Sequence, residues 1–100
     1  TGHANLVGGN EFIKLLATRY ADRFFCQHLN DNKGWGKEEG CGDAHRLPGE
    51  CNVDWKETMK LVRASAYEQP FVMEVSKPEG EDCAHYLKRA YEAGVWMANL

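Results

Sequence analysis

What this chain lacks sets the first limits on what it does. No apolar run approaches the roughly 20 residues that a helix needs to cross a bilayer. Positive charge is not in surplus: 12 Lys and Arg stand against 15 Asp and Glu, a formal net charge of -3. That leaves no electrostatic footprint for a nucleic-acid backbone. Lys33, Lys37 and Arg46 sit close together in sequence, but Glu38, Glu39, Asp43 and Glu50 offset them. The four cysteines (Cys26, Cys41, Cys51 and Cys83) contain no CxxC pair, so neither a zinc nor a redox motif is present. They read as free thiols, and a cytoplasmic setting is the expectation. No HExxH is present, and neither internal repeats nor low-complexity segments occur.

What remains is 100 residues, 43% apolar and 27% charged. That is the composition of one small globular domain. Residues 1–10 are polar and glycine-bearing and read as a loop. Asn10 is placed to cap a helix through about Ala21, with Ile13, Leu16, Ala17 and Tyr20 at helical spacing. Phe24 to Leu29 is short and aromatic-rich, as in a buried strand of a parallel sheet. The next two dozen residues have almost no periodicity; a loop that long in a compact domain is usually functional or disordered, and the ligand-type residues inside it favour function.

Asp54 then caps a second helix, with Glu57 three residues on in the manner of a capping box. Trp55, Met59, Val62 and Ala66 mark its buried face. A second strand runs Phe71 to Val75. A third helix runs from Glu81 to about Ala98, with Ala84, Leu87, Tyr91, Gly94, Val95 and Ala98 on one stripe. Strand and helix alternate, which predicts α/β architecture with a parallel sheet. Two strands alone leave unpaired edges, so association with further strands, or with other copies of the chain, is expected.

In such folds ligands bind beyond the C-terminal ends of the strands. His28, Asn30 and Asp31 follow the first strand, and Glu74 ends the second. His3 lies in the first loop, and Asp43, His45 and Arg46 lie in the long one. Imidazole with carboxylate is a ligand set for a catalytic divalent metal. His85, beside Lys88 and Arg89, reads as surface.

The series T-G-H-A-N, H-L-N-D-N, D-A-H-R-L-P-G-E-C-N-V-D-W and P-F-V-M-E-V resembles the xylose isomerase-like TIM barrels. That superfamily includes sugar-phosphate isomerases and epimerases and the AP endonuclease family 2 enzyme endonuclease IV. The resemblance runs over almost the whole chain. It implies the last three or so units of a (β/α)8 barrel, incomplete alone because a barrel takes about 250 residues. Residues 1–100 would then be a single C-terminal partial-barrel segment whose partner is the missing N-terminal part.

The resemblance also implies a divalent metal (Mn, Co, Mg or Zn) at the barrel mouth. His28 and Glu74 match two of its four ligands. The other two, an aspartate and a glutamate, would lie before Thr1. Glu74 would also be one of the two proton-moving glutamates. His3 and Arg46 match positions that hold a sugar or sugar phosphate. Asp43 and His45 match the pair that binds an extra zinc in endonuclease IV. The implied function is a metal-dependent sugar (phosphate) isomerase or epimerase. A zinc phosphodiesterase is the first alternative, and an inactive self-associating segment is the second. The family usually has glycine where Cys51 stands, so a positive φ angle there would cost backbone energy.

Overall fold

The computed structural model describes residues 1–100. Four α-helices and two short strands make it up: α1 (Gly2–Val7), α2 (Asn10–Thr18), β1 (His28–Leu29), α3 (Trp55–Ala64), β2 (Val72–Met73) and α4 (Cys83–Ala98). The strands pair in parallel, with His28 opposite Val72 and Leu29 opposite Met73. Glu74 N–H continues this ladder by donating to Leu29 O at 3.1 Å. The α/β class and the parallel pairing are as the alternating pattern required. No helix is long and apolar enough to cross a membrane.

Several elements differ from expectation. Residues 2–7 form α1, not a loop. Thr1 Oγ1 and the Gly2 main chain bond Asn30 and Asn32, which fastens this short helix to the end of β1. Gly9, rather than Asn10, is the N-cap of α2. The Asn10 side chain instead accepts from Thr58 Oγ1 at 3.0 Å and ties α2 to α3. A 3-10 turn at Ala21–Arg23 follows α2. The expected strand at Phe24–Leu29 shrinks to its last two residues, and that at Phe71–Val75 to its middle. A strand exists only where a neighbour completes the ladder, and residues 24–27 have none. Phe25 is accordingly 70% exposed.

The start of α3 is as read, whereas α4 begins at Cys83, two residues after the expected Glu81, with Asp82 as its cap. Asp54 accepts from Glu57 N–H at 3.0 Å, and Asp82 accepts from His85 N–H at the same distance. Each satisfies a backbone donor that the first turn leaves free. The core gathers Leu29, Val53, Trp55, Met59 and Met97, with Met73 packed against it. The apolar stripe expected of α4 is a correction: Leu87 and Tyr91 are 68% and 73% exposed, and Tyr86 and Met97 are the buried residues. Arg89 fits this rotation, because it bonds Glu81, just ahead of the helix, and Glu50 on the long loop. The Arg89 side of α4 faces the body of the protein together with Tyr86 and Met97. All four cysteines are free; Cys26 and Cys83 are exposed.

Candidate metal and substrate site

β1 and β2 lie side by side, and His28 on β1 meets Glu74, the residue after β2. His28 Nδ1 is 3.1 Å from Glu74 Oε2. The long loop returns over these ends through a backbone bridge: Asp31 N–H donates to Arg46 O at 2.8 Å, and Arg46 N–H donates to Asp31 O at 3.0 Å. This places His45 beside Glu74, with Nδ1 at 3.8 Å from Oε2. His45 Nε2 is 2.8 Å from Asp43 Oδ1, and His3 Nε2, presented by α1, is 3.1 Å from that same oxygen. The His3 and His45 rings meet edge to face, with centroids 5.9 Å apart.

The result is a continuous series, His3, Asp43, His45, Glu74, His28, drawn from two strand ends, one loop and one helix. His3, Asp43 and His45 offer ligand atoms that all lie within 4.8 Å of one another. Two imidazoles and a carboxylate converging on one point suit zinc, cobalt or manganese better than magnesium, which keeps oxygen ligands and water. Partial burial pushes the Asp43 carboxyl upward, but the His3 hydrogen bond and the His45 and His3 charges outweigh it. They hold Asp43 below the usual carboxylate range. His45 is the chain's one non-glycine residue with positive φ, at 49°. Such a conformation costs about 1–2 kcal/mol in an L-residue and persists only where neighbours hold it.

The structure therefore brings together His3, His28, Asp43, His45 and Glu74. Two details depart from the sequence reading. His3, expected among substrate-binding residues, lies in the same cluster as Asp43 and His45. The Arg46 side chain bonds the exposed Glu39 and forms no hydrogen bond or ion pair with any of the five. Cys51 is free of the backbone cost that a positive φ would bring, because it is absent from the positive-φ residues. A cavity of about 330 Å³ opens beside His3 and His28, walled by Phe12, Ile13, Leu16 and Phe24. Gln27 also lines it, and its buried Nε2 has no partner.

Asp31, expected with His28 and Asn30 among the polar residues after the first strand, turns inward instead. Asp31 is fully buried. Its Oδ2 accepts from Gly49 N–H, Cys51 N–H and Trp55 Nε1, and its Oδ1 accepts from Val53 N–H and Asn32 N–H, all at 2.9–3.0 Å. Nothing in local spacing announces this, because the donors lie up to 24 residues away.

The family of xylose isomerase-like TIM barrels matches residues 1–99 of this chain. The chain belongs to that family. No curated protein and no solved structure matches it.

Proposed function

We propose that this chain supplies part of the C-terminal face of a divalent-metal-dependent sugar or sugar-phosphate isomerase or epimerase. The observation that carries the reading is the contact of His28 and His45 with one Glu74 carboxylate at the ends of paired parallel strands. In this reading His28, Glu74, Asp43 and His45 hold the ion, and His3 and Arg46 face the substrate. A divalent ion held there supplies Lewis-acid polarisation of a carbonyl or hydroxyl oxygen. Glu74 is the general base: its carboxylate takes the proton from the carbon next to the carbonyl and returns it to the neighbouring carbon, or to the other face of the same one. The half-exposed position of Glu74 leaves room for a small substrate beside it.

A second reading has its own support. The tight His3–Asp43–His45 group is a three-ligand set, as in catalytic zinc sites that keep a fourth position for water. That favours an endonuclease IV-like zinc phosphodiesterase. The net charge of -3 weighs against it, since phosphate contacts dominate DNA affinity. In either reading residues 1–100 form one partial-barrel unit. Its free strand edges take a missing barrel segment or another copy of the chain.

Cobalt titration followed by visible absorption tests the metal, with His3→Ala and Glu74→Ala beside the parent chain. Ketose–aldose interconversion and cleavage of an abasic-site duplex, each with manganese and with zinc, separate the two activities. Cobalt binding that ignores both substitutions would sink the metal reading.

A further inference from the structure

Asp31 takes no part in the chemistry above, yet both ends of the long loop close on it. Its main chain continues β1 only three residues beyond His28. It exchanges two backbone hydrogen bonds with Arg46, the residue after His45. Its carboxylate then gathers the alternate amides of Gly49, Cys51 and Val53 and the Trp55 indole. His45 is thus pinned on both sides: Asp31 holds its successor, and Ser76 N–H donates to its carbonyl at 2.8 Å.

We infer that Asp31 is a positioning residue for the site, fixing the 43–46 arm so that His45 stays between Asp43 and Glu74. Three observations support this. His45 holds a left-handed backbone conformation that an unrestrained histidine leaves. The carboxylate is fully buried, so water does not compete for the amides it collects. His28 and the arm are both referenced to Asp31, so one residue sets their spacing. Replacing a carboxylate oxygen with an amide NH2 turns at least two of the five acceptor contacts into donor against donor. The 49–55 return of the loop then loses its anchor, and the Asp31–Arg46 backbone bridge loses the support behind it, while the strand remains. The metal part of the test rests on the proposed site, whereas the exchange part does not.

The test uses the full chain and the variants Asp31→Asn and Trp55→Phe. Asp54→Ala serves as a control that uncaps α3 without touching the arm. Native-state amide exchange is followed at Arg46 and Ser76, against Met59 and Val62 in α3. Asp31→Asn is expected to speed exchange at Arg46 and Ser76 by about tenfold or more, with Met59 and Val62 changed no more than in the control. Cobalt affinity is expected to fall about 10- to 100-fold, the usual effect of removing a residue that orients metal ligands, with an altered absorption band. Trp55→Phe removes one donor of five and is expected to move the same readouts by about two- to fivefold. It decides the matter if Asp31→Asn does not fold. Arg46 and Ser76 exchange no faster than in Asp54→Ala, in whichever variants fold, overturns the inference. A parent chain that binds no cobalt, or whose binding survives both His3→Ala and Glu74→Ala, removes the metal site instead and leaves the exchange rates to judge Asp31.

Discussion

Gly49 lies flat against the indole of Trp96: a Cβ at Gly49 would sit 3.1 Å from Trp96 Cζ3 and 3.2 Å from Cη2. Its φ is 91°, which L-residues avoid. The Pro48–Gly49 turn therefore joins the loop to the last turns of α4. It does so one residue from Glu50, which Arg89 on the same helix also binds.

Gly49→Ala is expected to cost about 2–4 kcal/mol, from backbone strain and from the displaced indole together. Gly34→Ala isolates the first part. Its φ is 78°, but nothing lies within 4 Å of an added Cβ, and a cost near 1 kcal/mol is expected. Urea unfolding of the two variants measures the difference; equal losses would mean that the Trp96 contact contributes nothing.

The rotation of α4 makes a second prediction. Leu87→Glu changes an exposed position and is expected to alter stability by no more than about 0.5 kcal/mol. Met97→Ala empties a core position and is expected to cost about 2–5 kcal/mol. The reverse order in thermal or urea unfolding would restore the stripe that the spacing first indicated.

Glu74 is expected to be needed for both binding and proton transfer. Glu74→Ala should weaken cobalt or manganese binding by at least about tenfold, read by titration. In an active preparation Glu74→Gln should slow exchange of the substrate proton with solvent by about 10²–10⁴-fold, the usual worth of a general base. Solvent-deuterium incorporation followed by NMR checks this, and an unchanged rate removes Glu74 as the base.

Acid should loosen the clamp on α4. The Arg89 hydrogen bond, with His85 adding to it, holds the Glu81 carboxyl below its ordinary range. A carboxylate with a depressed folded-state pKa contributes stability that is fully present above its unfolded value of about 4.3 and is lost as pH falls through the folded value. The melting-temperature gap between the parent and Glu81→Gln should therefore be constant near neutrality and close progressively below about pH 4. A gap that persists undiminished at pH 2 would assign the difference to packing instead.

Much of the fold is legible in single residues. Asp54 announces the start of α3 because an aspartate ahead of Trp55, with Glu57 next in reach, satisfies a local donor. His28 and Glu74 are legible as strand-end residues because each lies at the end of an apolar run. The strand lengths are not legible. Phe24 to Gln27 has the composition of a strand, but composition does not supply the neighbour that a ladder needs.

The site divides along the same line. His3, His28, Asp43, His45 and Glu74 are visible in the sequence as residue types at strand ends and in a long loop, since local pattern places those ends. Their pairing is not visible. That His3 meets Asp43, that Arg46 turns to Glu39, and that Asp31 collects amides from across the loop depend on how a segment without periodicity folds back. The sequence by itself determined the start of α3, the parallel pairing and the residue types gathered at the strand ends, because a cap and an apolar pattern act within a few residues. Only the tertiary structure decided which imidazole meets which carboxylate and which face of α4 is buried. Those outcomes turn on hydrogen bonds between residues as far apart as Glu50 and Arg89, whose geometry no local pattern encodes.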